Sequence, residues 1–78
     1  MLDLHGYIIH DAWKRFNDHM QDCYLNRHKY TRIITGHGAI ANEITDWCNA
    51  NHYVRSCKRQ SPNTGVYKIL IKKRLTQN

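Results

Sequence analysis

Two short segments of the chain set an acid-base side chain beside glycine: Leu2-Asp3-Leu4-His5-Gly6 near the start and Thr35-Gly36-His37-Gly38 in the middle. Asp3 and His5 are two residues apart, so on a strand they share a face, where a carboxylate can fix the tautomer of an imidazole and raise its pKa. His5 is therefore a candidate general acid or base. Gly6 lets the backbone turn away with no Cβ in front of whatever approaches the ring. The same residues also fit a capped strand end in which Asp3 only bonds local backbone. In the second segment Gly36 and Gly38 flank His37 directly ahead of a helical pattern. Backbone N–H groups and the positive helix end can there cradle a phosphate that His37 contacts or protonates. A Gly-x-Gly turn also arises where a tight turn needs glycine for its own sake.

The elements that position these segments read as βαβαββ. A short strand at Leu2 to Leu4 precedes a helix from about Asp11 to Arg27, and a strand at Tyr30 to Thr35 precedes a helix from about Ile40 to Asn51. Ala12, Phe16, Met20 and Tyr24 recur at helical spacing, with Trp13 and Cys23 widening the stripe; Ile40, Ile44, Trp47 and Cys48 do the same in the second helix. Tyr53 to Cys57 and Val66 to Lys72 read as strands joined by a hairpin loop over Gln60 to Gly65. In the last strand Tyr67, Ile69 and Ile71 can face the core while Val66, Lys68, Leu70 and Lys72 take the other side. A strand-helix-strand unit crosses over right-handedly and makes its strands parallel. The C-terminal ends of the first two strands then share one sheet edge, which brings His5 and His37 together where ligands of open α/β sheets bind.

A chain of 78 residues, 41% of them hydrophobic, builds one small core, and the expectation is a single domain over residues 1–78 with its core in about 2–74. Cys23, Cys48 and Cys57 are odd in number and form no Cys-x-x-Cys pair, which suits neither a disulfide framework nor a zinc ribbon and fits a reducing cytoplasm. No apolar run approaches the roughly 20 residues that span a bilayer. The net charge of +6 is uneven: residues 1–39 carry about +1 and residues 40–78 about +5. After Asp46 no acidic residue follows, while Arg55, Lys58, Arg59, Lys68, Lys72, Lys73 and Arg74 accumulate. That is the footprint expected of a nucleic-acid binder, or of a solvated basic face.

Other residues are weaker candidates. Cys48 and His52 are four apart on the second helix, but no second pair with metal-ligand spacing follows and Cys48 lies on the apolar stripe. His10, His19 and His28 are most simply exposed helix residues. Trp13, Trp47, Phe16, Tyr24 and Tyr67 fall at core spacing, which leaves Tyr7 and Tyr53 as the better stacking candidates.

Taken together, Leu-Asp-Leu-His-Gly at the start, the Ala-led helix, the strand closing on Ile-Ile-Thr-Gly-His-Gly, a helix ending in Trp, and the final Ile-Leu-Ile-Lys-Lys resemble the Smr (small MutS-related) domain family over residues 2 to 74. The resemblance implies an α/β two-layer βαβαββ sandwich, a mixed four-stranded sheet with two helices, similar to the C-terminal domain of translation initiation factor 3. It implies endonuclease activity, nicking DNA or cleaving RNA, including messenger RNA on stalled ribosomes. Asp3 and His5 would be the catalytic pair and Gly36-His37-Gly38 the substrate-binding loop. His37 stands where family members often carry Lys or Arg, and Ile8 stands where a Thr or Ser would cap the first helix.

The expectation is therefore an endonuclease acting on RNA or DNA, with Asp3, His5 and His37 as catalytic residues. Gly6, Gly36, Gly38, Lys58, Arg59 and Lys72 are the candidate phosphate contacts. No cofactor or resident metal is required, although Asp3, His5 and His37 could instead hold a divalent ion that activates water. RNA, DNA and the ribosome are the expected partners, with no membrane. The rival expectation is a non-catalytic nucleic-acid- or ribosome-binding module.

Overall fold

A computed structural model of the chain describes residues 1–60 and 65–74. The middle of the expected hairpin loop, residues 61–64, and the tail 75–78 lie outside the described residues. In chain order the elements are β1 (Leu2–Asp3), α1 (Ile9–Leu25), β2 (Tyr30–Ile34), α2 (Ala39–Ala50), β3 (Val54–Arg59) and β4 (Val66–Ile71). The sheet order is β1-β2-β4-β3, with β1 parallel to β2 and β4 antiparallel to both β2 and β3. Both the element order and the mixed four-stranded sheet agree with the sequence expectation.

Each helix buries one stripe against the same sheet face. Ala12, Phe16, Met20 and Cys23 from α1 and Ile40, Ile44 and Cys48 from α2 are buried with Leu4, Ile33, Val54, Ile69 and Ile71. Fully burying a side chain such as Phe16 or Ile44 contributes about 1.5–3 kcal/mol, so this stripe, not capping, holds the helices. Ile8 indeed caps α1 without any side-chain hydrogen bond. Trp13 departs from its expected place: it is 45% exposed and stacks on His10 at 6.2 Å. It lies about 100° around the helix from Ala12, beyond the reach of the sheet. Trp47 is half-buried against Phe16 at 5.8 Å.

His19 also departs from expectation. It is half-buried, with Nε2 2.8 Å from the Thr31 hydroxyl of β2 and 3.5 Å from the Cys23 thiol. Burial pushes its pKa down, helped by the distant N-terminal ammonium. The α1 terminus closes through paired bonds: Arg27 N–H donates to the Tyr24 carbonyl and His28 N–H to the Cys23 carbonyl. This is the Schellman arrangement, in which a left-handed residue ends the helix. Here that residue is Arg27, at φ 60°, rather than glycine.

In β3 a register shift between Val54 and Ser56 accommodates Arg55 as an extra residue. The shift changes the side-chain alternation, so Val54, opposite Ile71, and Cys57, opposite Ile69, both face the helices. Cys57 meets Cys48 there. The Cys48 thiol is pushed well up by its hydrogen bond to Cys57 and by burial, while accepting that bond holds Cys57 lower. On the opposite sheet face Tyr30, Leu70 and Lys58 are exposed and Arg32, Ile34 and Lys68 half-buried.

Candidate functional site

The end of β1 is anchored by Leu4, which is fully buried and donates its N–H to the Ile34 carbonyl at 2.8 Å. The chain then reverses through His5 and Gly6, closed by Tyr7 N–H on the Leu4 carbonyl at 3.2 Å. Gly6 has φ 87°, the conformation a type II turn demands of its third residue. The turn holds His5 outward at the sheet edge. Asp3 Oδ1 accepts the His5 backbone N–H at 3.0 Å and lies 3.6 Å from His5 Nδ1. Both readings of Asp3 thus coexist: it caps the turn and stands beside the imidazole. At 3.6 Å the side-chain contact is an ion-pair distance and not a hydrogen bond. With both side chains largely exposed, 72% for His5 and 58% for Asp3, the contact adds little stability.

The second loop is fastened from the other side. Thr35, only 3% exposed, donates its backbone N–H to the Gly65 carbonyl at 2.8 Å. Its hydroxyl is shared between the carbonyls of Gly36 at 2.9 Å and Gly65 at 3.0 Å. Gly36 has φ 71°, and a Cβ there would rest 3.6 Å from His5 Cβ, an ordinary contact; glycine is needed at this position for its backbone angle and not for room. Gly65 needs both. Its φ is 61°, and a Cβ would come within 2.7 Å of the Gly36 carbonyl oxygen. The start of β4 therefore sets the height of the His37 loop. Gly38 is the α2 N-cap, with no side-chain hydrogen bond, so the positive end of the helix faces the loop unscreened by a capping side chain.

His5, Gly6, Thr35, Gly36, His37 and Gly38 line one open cleft of about 530 Å³. Asp3 lines the adjoining recess with His5, Gly6 and Tyr7. The crossover thus gathers the two segments that lie far apart in sequence. Among the described residues no group of three or more His, Cys, Asp or Glu side chains converges as a metal site, so Asp3, His5 and His37 do not stand as a chelating set, nor do Cys48 and His52 gain further ligands.

The expected cations do not gather at this cleft. Lys58 sits opposite Lys68 on the uncovered sheet face, and Arg59 opposite Tyr67 at the end of edge strand β3. Two strands separate β3 from β1, a span of about 14 Å at 4.7–4.9 Å per strand. Lys72 is farther still: it follows β4 at the opposite end of the sheet and donates its N–H to the Tyr53 carbonyl at 2.9 Å. Because β4 runs antiparallel to β2, its C-terminus points away from the cleft and carries Lys72 with it.

Other residues join the region that the sequence did not single out. Arg15, from the middle of α1, places its guanidinium 4.6 Å from the centre of the Tyr7 ring, and Tyr7 lines the cleft. Gly65 and Thr35 brace the loop. Only the helical spacing of Arg15 from Ile8, two turns away, could have hinted at its approach. Tyr53 is no free stacking platform, since it packs on Tyr24 at 4.7 Å and on the core. Tyr30, 44% exposed, is an open aromatic on the sheet face away from the helices.

The Smr domain family model matches residues 2–72. The chain is similar in fold to the Smr domain of Thermus thermophilus MutS2, with a TM-score of 0.82 over 90% of this chain and 94% of that one, at 17% identity. No curated protein matches the chain in sequence. The βαβαββ order, the two glycine-bearing turns at one sheet edge and the match across both of them lead to one assignment: the chain belongs to the Smr domain family, which is associated with nuclease and nucleic-acid-binding activity.

Proposed function

We propose that this protein is an endonuclease that cuts a phosphodiester of RNA, or nicks DNA, by acid-base chemistry at His5. The observation that carries this reading is the shared cleft, which two loops from the ends of parallel strands line with both His5 and His37. Asp3 positions the His5 ring. The backbone amides of Gly36 and Gly38, with the α2 N-terminus, are suited to a phosphate oxygen. On RNA, one imidazole takes the proton of the 2′-hydroxyl, the 2′-oxygen attacks phosphorus, and the other imidazole hands a proton to the departing 5′-oxygen. Each histidine ends with the opposite protonation state, and water-borne exchange resets the pair. Arg15 over Tyr7 is the cation nearest in kind to the Lys or Arg that His37 replaces.

Within this reading the substrates include messenger RNA on the ribosome, and the three free thiols suit a reducing cytoplasm. A second reading, a non-catalytic binding module, is favoured by the exposure of the Asp3–His5 pair and by the cations lying away from the cleft. One set of reactions separates them. Labelled RNA and supercoiled DNA are incubated with wild type, His5→Ala and His37→Ala, with and without EDTA. Cleavage lost in both variants supports the assignment; three proteins that behave alike refute it. An RNA carrying a single 2′-deoxy at the cleavage position tests the 2′-hydroxyl route, which continued cutting there would exclude.

A further inference from the structure

The sheet face turned away from the helices carries groups that the cleft chemistry does not use. Tyr30 is the exposed aromatic there, and both the Arg32 guanidinium and the Lys68 ammonium lie over its ring, at 5.2 and 4.6 Å. Beside it, Lys58, Gln60, Lys68 and Leu70 line a shallow depression of about 390 Å³. Leu70 also lines a second cleft of about 480 Å³ at the sheet end opposite His5, where Arg27, Lys29, Arg55, Lys72 and Lys73 converge. Leu70 therefore borders both recesses. Neither is lined by any Asp or Glu. Arg27 reaches its cleft from a left-handed backbone, φ 60°, that glycine adopts freely and arginine does not.

We propose that this face is a platform for a single-stranded nucleic acid, which runs from the cationic cleft at Arg27 and Lys29, across Tyr30, to the His5 and His37 edge. The proposal rests on the nuclease reading for its orientation. Strand β2 connects the two ends directly: it begins at Tyr30, beside Lys29, and leads into Thr35 and Gly36. Its five residues span about 17 Å at about 3.3 Å each, room for a few unstacked nucleotides. A base that stacks on Tyr30 displaces Arg32 and Lys68 from over the ring, and the two long side chains then reach the adjoining phosphates, so one contact serves both the π-face and the charge. A duplex hides its base faces and gains nothing from the aromatic. On this path Lys72 lies at the entry end of the strand and Lys58 beyond Lys68 on the flank of the face, so both act on the chain and not on the scissile bond.

The test uses the full chain with His5→Ala, so that bound strands are not cut, and reads fluorescence anisotropy of a labelled single-stranded RNA and the DNA of the same sequence. Tyr30→Ala weakens binding roughly 5- to 150-fold and Tyr30→Phe retains it, as stacking on one base implies. The double variant Lys58→Ala, Lys68→Ala lowers the salt slope by about 1.4, whereas Lys14→Ala, on the outer side of α1, leaves it unchanged. Unchanged affinity in Tyr30→Ala overturns the platform, as does a slope that Lys14→Ala lowers equally, which would mean a diffuse field. A duplex that binds as tightly as the single strand, or a polyglutamate peptide that displaces it at equal concentration, overturns it in favour of another partner. The nuclease reading fails separately: wild type that never cuts, with binding still dependent on Tyr30, removes the chemistry and leaves the platform.

Discussion

Replacing Thr35 with Val tests whether the two loops are held together for function. Valine fills nearly the same volume, so the 3% exposed site gains no cavity; only the hydroxyl is lost. That hydroxyl is shared between the Gly36 and Gly65 carbonyls at 2.9 and 3.0 Å. Gly65 keeps a partner, because it still accepts the Thr35 backbone N–H at 2.8 Å. The Gly36 carbonyl is left to find water. The lost bond costs about 1 kcal/mol and the stranded carbonyl about 1 kcal/mol more, a total near 2 kcal/mol, or roughly 8–16 °C in Tm for a chain of this size. The functional effect is larger. A loop freed by about 1 Å misplaces His37, and misplacement on that scale costs about 100-fold in rate. Thr35→Ser keeps the hydroxyl and loses one methyl, about 0.8 kcal/mol, and retains cleavage. Urea unfolding and single-turnover cleavage of RNA read the two effects. Thr35→Val that is destabilised as stated but cuts at the wild-type rate refutes the link between the brace and the chemistry.

The remaining predictions concern the fold around the site. Gly65→Ala combines a left-handed φ of 61° with an approach of 2.7 Å to the Gly36 oxygen, and loses more than about 2 kcal/mol by urea unfolding; a loss under about 1 kcal/mol would show that the β4 start does not set the loop. His19, with its pKa lowered below the ordinary 6.5 by burial, is neutral in the folded chain when the unfolded chain already binds a proton. Its contribution is therefore fully present above pH 6.5 and is lost as pH falls from there toward the folded pKa. His19→Gln flattens that part of the stability curve, and melts at pH 5 and 7.5 that keep the wild-type slope would contradict the assignment. Arg27→Gly relieves the left-handed strain of about 1–2 kcal/mol against a glycine entropy cost of about 0.5–1 kcal/mol. The urea midpoint should rise, while the salt slope of nucleic-acid binding falls by about one.

The placement of the candidate site was legible because it depends on topology more than on side-chain detail. The alternation of strand and helix patterns fixes a parallel pair with a right-handed crossover, and that alone puts Leu4-His5-Gly6 and Gly36-His37-Gly38 at one edge. Where sequence reasoning failed, the missing quantity was distance around or across an element. Trp13 belongs to the apolar stripe of α1 by periodicity, yet a sheet as narrow as this one leaves its ring at the margin. His19 looks like any surface histidine in sequence, and its burial is decided by Thr31 on another element. Gly65 reads as turn chemistry; its contact with Gly36 depends on β4 pairing with β2 and not β3 alone.

The basic tail carries its charge away from the His5 and His37 cleft. Residues 40–78 hold most of the positive charge, and the sheet order β1-β2-β4-β3 puts the strands that carry it next to β2 and beyond, not around β1. The alternation of β4 then turns Lys68 to the uncovered face and Ile69 into the core, and the register shift at Arg55 turns Lys58 to that same face opposite Lys68. On the proposed platform, cations so placed act along a polymer and not on a single phosphate. A compact substrate held only at His5 and His37 would make little use of Lys58, Lys68 or Lys72, whereas a strand lying along β2 passes Lys68 on the neighbouring β4, with Lys58 one strand beyond. Substrate length should therefore govern binding more strongly than the identity of the base at the cut.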